Sequence, residues 1–115
     1  MSSTGWPESF TLNKDTISSV VTRVSPGAYA LGTLNGDTFY VAYVGRSDGD
    51  LAQRLKFWVG RYTHFKAGYS ESPRAAFIKE CNLYHDFGEH ELDNKVHPDR
   101  PENSSWKCPR CKIFG

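Results

Sequence analysis

The stretch GAYALGTLNGDTFYVAYVGRS, residues 27 to 47, decides how the chain is expected to fold. Two strand-like runs, AYALGTL and TFYVAYVG, flank the pair Asn35-Gly36, which is the strongest short-range signal for a β-hairpin. Tyr29 and Tyr43 lie near equivalent points on the two arms. Because two strands of one hairpin can direct side chains to the same face of the sheet, both rings are expected on one face.

The remainder of the chain predicts helices and one further strand. Asp50 is the expected N-cap of a helix in DLAQRLKFWVGRY, and THFKAGYS predicts a third, shorter strand. Ser72 followed by Pro73 marks the start of a second long helix in RAAFIKECNLYHDF, which is expected to stop at Gly88. Residues 16–22 fit either a short strand or a helical turn. The predicted fold is α/β (α+β), with a small antiparallel three-stranded sheet and flanking helices.

Length and composition predict a single compact domain. The chain has 115 residues, of which 38% are hydrophobic, enough for one core. We divide it into an N-terminal arm over 1–15, a domain over 16–88, and a polar loop with a Cys-x-x-Cys tail over 89–115 that packs on the same domain.

Charge and cysteine content restrict the class of protein. The net charge of +1 gives no argument for nucleic acid, but residues 46 to 66 contain a local basic surplus. No signal-peptide pattern and no apolar run of membrane-spanning length are present, so the expected compartment is the cytoplasm and no membrane partner is expected. Three cysteines, an odd number, argue against a disulfide framework.

Several motifs along the chain resemble one known family. Gly-Ala-Tyr at 27–29, then Tyr-Val-Gly at 43–45 followed by Arg-Ser at 46–47, is similar to the signature of GIY-YIG nucleases. Arg54 lies eleven residues after the second tyrosine, where that family carries an arginine on its first helix. The segment AFIKECNLYH resembles the family's later helix and places Glu80 at the position of its essential glutamate.

The resemblance covers roughly residues 26–87 and implies a metal-dependent endonuclease that acts on DNA. Hydrolysis of a phosphodiester needs an activated water, stabilisation of phosphoryl charge and help for the leaving group. Tyr29 is the candidate general base, and Tyr43 would orient water or phosphate beside it. Arg54 would clamp the scissile phosphate, and Glu80 would hold one divalent ion, Mg²⁺ or Mn²⁺. Candidates of second rank for phosphate contacts or proton transfer are Arg46, Ser47 and His64.

The tail carries a second candidate site, for structural zinc. Cys108-Pro-Arg-Cys111 has the two-residue spacing that lets two thiolates bind one ion. Cys81 and His85, four residues apart on one helical face, would complete a closed Cys₃His tetrahedron. His90 and His97 are competing ligands. The alternative is that Cys81 is a small buried hydrophobe and the tail pair is redox-active or merely exposed.

Each residue of the nuclease motif also has a purely structural interpretation. The tyrosines could fill a sheet face, Arg54 could be a surface charge, and Glu80 could pair with Lys79 or Arg54. Two other functions therefore stay open, a non-catalytic nucleic-acid-binding module and a zinc-stabilised adaptor that binds a protein through residues 86–105. The sequence also leaves monomer and homodimer open.

Overall fold

The computed structural model describes residue 6, residues 8–87 and residues 92–93. The elements in chain order are β1 (Phe10–Thr11), α1 (Lys14–Val20), β2 (Gly27–Asn35), β3 (Thr38–Ser47), α2 (Leu51–Phe57), β4 (His64–Tyr69) and α3 (Pro73–Asp86). Within these residues no helix combines the length and apolar character needed to cross a membrane.

The strands form one antiparallel sheet in the order β1-β4-β2-β3. The predicted α+β class and antiparallel sheet are confirmed, but the prediction of three strands is wrong because the sheet has four. The additional strand, β1, lies inside the segment predicted as an arm and pairs with β4, where the Phe10 and Phe65 ring centroids are 5.7 Å apart. A strand of two residues is too short to show an alternating pattern, and tertiary contact decides its conformation.

Local signals set the bounds of the hairpin and helices. Gly36 takes the left-handed conformation, with φ 63°, in the turn between β2 and β3. Asp50 and Ser72 cap α2 and α3 through their side chains, as predicted. Of the segment 16–22, left open between strand and helical turn, residues 16–20 belong to α1, whose N-cap Asn13 accepts a hydrogen bond from the Thr16 amide at 2.7 Å.

A β-bulge at Ala42 decides which face of the sheet carries Tyr43. Between Leu31 and Gly32 of β2 the register against β3 shifts by one residue, which leaves Ala42 as the extra residue. Because successive side chains alternate between faces, an unshifted register would turn the Tyr43 ring away from Tyr29. The bulge therefore places both tyrosines on one face of the sheet.

The central strand β2 is buried on both sides. Tyr29 and Leu31 belong to a cluster with residues of α1 and α2, whereas Ala30 belongs to a cluster with Leu83 and Tyr84 of α3. Helices α1 and α2 thus cover one face of the sheet and α3 covers the other. Residues from both layers meet at the end of β3, where the chain turns into α2.

Candidate active site

A cleft of about 410 Å³ lies where β3 ends. The residues that line it come from β2, β3, α2, α3 and the turn after β3: Tyr29, Tyr43, Gly45, Arg46, Ser47, Asp48, Arg54 and Glu80. The structure therefore brings together all four residues predicted to be catalytic, although they are spread over more than half of the described chain.

Tyr29 is held rigidly at the base of the cleft. Its side chain is 1% exposed, and its hydroxyl accepts a hydrogen bond from the Trp58 indole Nε1 at 2.8 Å. Burial raises the pKa of Tyr29 to about 12, although the Trp58 hydrogen bond and the nearby Arg54 guanidinium act in the opposite direction. The phenol is therefore neutral near pH 7 and keeps a proton that it can donate.

Gly45 is required so that the Tyr29 ring can pass over β3. A Cβ at this position would lie 2.5 Å from Tyr29 Cζ and from its hydroxyl oxygen.

We expect Gly45→Ala to displace the ring and lower the free energy of unfolding by about 1–3 kcal/mol, as overpacking does. Urea unfolding measures this loss. Gly49→Ala is the matched control, since a Cβ there meets nothing within 4 Å; equal stability of the two variants would contradict the close approach.

Tyr43 is half-buried in a group of aromatic rings beside Tyr29. Its ring centroid lies 4.6 Å from that of Trp58 and 6.3 Å from that of Tyr62. Burial, and secondarily the negative charge of Glu80, raises the pKa of Tyr43, whereas Arg54 lowers it. A neutral hydroxyl in this position can both donate and accept hydrogen bonds, which suits the orientation of a water or a phosphate.

Glu80 reaches the cleft from α3 and is 8% exposed. Its partner is Arg46, whose Nη1 donates to Glu80 Oε1 at 2.7 Å, rather than the Lys79 or Arg54 considered from sequence. The same guanidinium donates from Nε to Asp48 Oδ1 at 2.9 Å. Burial raises the pKa of Glu80 to about 7, although Arg46 favours the charged form.

Arg46 fixes one of the two carboxylate oxygens of Glu80. Its Nη1 donates to Oε1, and among the described residues no hydrogen bond to Oε2 accompanies this contact. Because the Glu80 side chain lines the cleft, Oε2 is the oxygen that a ligand in the cleft would contact.

This arrangement suits a cation held by a single carboxylate. Over residues 6, 8–87 and 92–93, no group of three or more His, Cys, Asp or Glu side chains forms a metal cage. Mg²⁺ commonly binds through one or two carboxylates and completes its coordination with phosphate oxygens and waters. The Oε2 atom of Glu80 fits that mode, with the remaining coordination supplied by waters or by a ligand in the cleft.

Arg54 faces the cleft from α2 and supplies its exposed positive charge. It lowers the pKa of both Tyr29 and Tyr43, so its charge reaches both phenols. Its guanidinium also lies 5.5 Å from the ring centroid of Phe57 on the same helix. An exposed guanidinium beside two phenols is suited to bidentate contact with a phosphate.

Of the three further candidates for phosphate contact or proton transfer, the structure places two at the cleft and one away from it. Arg46 and Ser47 line the cleft, but the Ser47 hydroxyl accepts a hydrogen bond from the Asp50 amide at 3.0 Å and so shapes the turn into α2. His64 is not among the lining residues. It lies on β4, pairs with Gly32 at the other end of the β2–β4 ladder, and contacts Thr63 Oγ1 at 2.9 Å.

Sequence reasoning missed two contributors to the site. Asp48 holds Arg46 from the turn after β3, and Trp58 donates to Tyr29 from the C-cap of α2. Trp58 lies in the segment DLAQRLKFWVGRY, which the sequence predicts only as a helix. No sequence pattern links Asp48 to a partner two positions earlier on a strand.

The zinc prediction falls largely outside the described residues. Cys81 is fully buried on α3, and the His85 ring contacts Tyr84 with centroids 5.3 Å apart. Cys108 and Cys111, and the competing ligands His90 and His97, lie beyond the part of the chain that the structure describes. Structural zinc at Cys81, His85, Cys108 and Cys111 stays a prediction.

A comparison of the chain with protein-family models, with curated proteins and with solved structures finds no match.

The raised pKa of Glu80 predicts a pH-dependent stability in the metal-free protein. The Glu80 carboxyl binds its proton more tightly in the folded state than in the unfolded state. Protonation of Glu80 therefore adds to the free energy of unfolding below about pH 4.5, and this contribution is lost as pH rises through about 7. Glu80→Gln stays neutral. In EDTA, the free energy of unfolding of this variant minus that of the wild type should therefore increase by up to about 3 kcal/mol as pH rises from 4.5 to 8.

Urea unfolding at several pH values measures this gain. Glu71→Gln is the matched control, because Glu71 is exposed and lies outside the cleft. A constant difference between Glu80→Gln and wild type across this range would show that the carboxyl titrates as it does in the unfolded chain.

Proposed function

We propose that the protein is a metal-dependent endonuclease of the GIY-YIG type that hydrolyses phosphodiester bonds in DNA. The observation that carries the proposal is the convergence of Tyr29, Tyr43, Arg54 and Glu80 on one cleft. Burial of the Glu80 carboxylate and the Tyr29 hydroxyl costs solvation free energy, and a surface without a function would not be expected to place them beside a second phenol and a guanidinium.

In the proposed reaction, Arg54 binds the scissile phosphate and Tyr43 orients the attacking water. The Tyr29 hydroxyl accepts from Trp58 and also interacts with the Arg54 guanidinium; once Arg54 turns to the phosphate, the hydroxyl has one lone pair for the water and one proton to donate. Tyr29 would take the proton of the water at Oη while its own proton passes to a phosphate oxygen. A divalent ion on Glu80 would supply Lewis-acid stabilisation of the charge on the phosphoryl group.

The supporting residues keep this geometry fixed. Arg46 holds Glu80 in one orientation, and Asp48 holds Arg46 in turn. The Trp58 indole contacts both Tyr29 and Tyr43, through a hydrogen bond and through its ring. Preorganised groups of this kind need little rearrangement when charge develops in the transition state.

The runner-up is a nucleic-acid-binding module without catalysis. It would dock on the phosphate backbone through the hairpin and the basic helix α2, but a carboxylate facing the phosphate would weaken its binding by repulsion. The third candidate, an adaptor that binds a protein through residues 86–105, would show no salt-dependent affinity for DNA.

One experiment separates the three functions. Supercoiled, linear, single-stranded and branched DNA are incubated with the protein in Mg²⁺ or in EDTA, and affinity is measured as salt is raised. A nuclease cleaves at least one substrate only with the metal. Salt-dependent binding without cleavage favours the module, and neither binding nor cleavage favours the adaptor.

A further inference from the structure

A large aromatic side chain is exposed next to the cleft. Phe57, the last residue of α2, is 59% exposed although most aromatic rings of the described chain are packed. Guanidinium groups of Arg54 and Arg61 lie over its ring, 5.5 Å and 5.6 Å from the centroid, so a base that stacks on the phenyl face takes the place of one guanidinium, which is then free to contact the adjacent phosphate. The Trp58 ring meets it edge-on, with centroids 5.3 Å apart, which fixes the plane of the phenyl group.

This aromatic side chain borders a second hollow that adjoins the first. The hollow has a volume of about 350 Å³ and is lined by Ser47, Asp50, Gln53, Arg54 and Phe57. It shares Ser47 and Arg54 with the candidate active site. A ligand whose phosphate contacts Arg54 can therefore place its neighbouring group against Phe57.

The chemistry of this surface fits one kind of occupant. Exposed aromatic rings and guanidinium planes stack with unpaired bases, and the guanidiniums also neutralise the adjacent phosphates. The exposed Gln53 amide supplies a donor and an acceptor at the rim of the hollow, suited to a base edge. A base paired within a duplex keeps its flat face covered by its neighbours and cannot stack on Phe57.

We infer that Phe57, flanked by Arg54 and Arg61, is a stacking platform for an unpaired base next to the scissile phosphate. This inference rests on the proposed function and narrows its substrate to DNA with an unpaired nucleotide at the cleavage site, such as a single strand, a flap or a junction.

The test measures DNA affinity in EDTA, where the proposed cleavage does not occur. A fluorescently labelled single-stranded oligonucleotide and the corresponding duplex are titrated with full-length wild type, Phe57→Ala, Phe57→Leu and Phe57→Trp. We expect Phe57→Ala to bind the single strand about 5- to 100-fold more weakly, as loss of one stacked base does, and to bind the duplex within about twofold of wild type. Phe57→Trp should restore the affinity, whereas Phe57→Leu should not.

The variants distinguish stacking from apolar contact and from charge. Phe57→Leu keeps apolar bulk without a ring, so wild-type affinity of this variant for the single strand would overturn the inference. Equal weakening on single strand and duplex would overturn it too, as would no binding of the single strand by wild type. Lys56→Ala is the charge control and should weaken both substrates equally.

Cleavage in Mg²⁺ separates this inference from the proposed function. If the wild type binds the single strand through Phe57 but cleaves no substrate, the nuclease proposal is wrong and the inference that Phe57 stacks with an unpaired base is retained. If the wild type cleaves DNA and Phe57→Ala cleaves single-stranded and duplex substrates as the wild type does, the platform fails and the nuclease stands.

Discussion

Under the proposed function, replacing Glu80 by Gln is expected to lower the rate of DNA cleavage by at least about 10³-fold, because the variant would lose the divalent ion and with it several kcal/mol of transition-state stabilisation. Gln keeps the size of the side chain and an oxygen that can accept from Arg46, so the fold should persist. Single-turnover cleavage in Mg²⁺ measures the rate, and anisotropy in EDTA measures DNA affinity, which should change little.

Glu71→Gln makes the same chemical change at an exposed position away from the cleft and should cleave at the wild-type rate. Thermal unfolding of both variants shows whether the fold is retained. A folded Glu80→Gln protein that cleaves within tenfold of wild type would remove Glu80 from catalysis. Unfolding of this conservative variant would instead show that the carboxylate is structural.

Replacing Tyr29 by Phe is expected to lower the cleavage rate by about 10²- to 10⁴-fold, the range for loss of a general acid or base. The ring still fills the space above Gly45, but no hydroxyl remains to move a proton. The change also deprives the Trp58 indole of its acceptor, with an expected stability cost of about 1–3 kcal/mol. Cleavage is therefore measured well below the unfolding temperature of the variant.

Tyr40→Phe is the matched control for this substitution. Tyr40 is 54% exposed on the hairpin and is not among the residues that line the cleft, so its hydroxyl should be dispensable. Cleavage by Tyr29→Phe at the rate of Tyr40→Phe would show that Tyr29 packs the sheet and takes no part in proton transfer.

Much of the framework could be predicted from local sequence signals. The Asn35-Gly36 pair predicted the hairpin, and the capping residues Asp50 and Ser72 predicted where α2 and α3 begin. These signals act over a few residues through backbone conformation and side-chain hydrogen bonds, so they can be recognised in a single sequence. The resemblance then indicated which distant residues to consider together.

What escaped prediction depends on contacts between distant segments. The bulge at Ala42 has no pattern of its own, yet it determines the face on which Tyr43 lies. The pairing of Glu80 with Arg46 joins α3 to β3 across the end of the sheet, which no helical spacing anticipates. Helix α2 ends at Phe57, well inside the segment DLAQRLKFWVGRY in which a helix is predicted, and the chain turns at Gly60 with a φ of 92°.

The most direct test of the proposed function is scission of supercoiled, linear, single-stranded and branched DNA by wild type and Glu80→Gln, each in Mg²⁺ and in EDTA. We expect cleaved product from at least one substrate, only from wild type with Mg²⁺, and equal DNA affinity of the two proteins. Equal cleavage by the two proteins, or cleavage by wild type in EDTA, would contradict the proposed role of Glu80. No product under any condition would contradict the nuclease assignment.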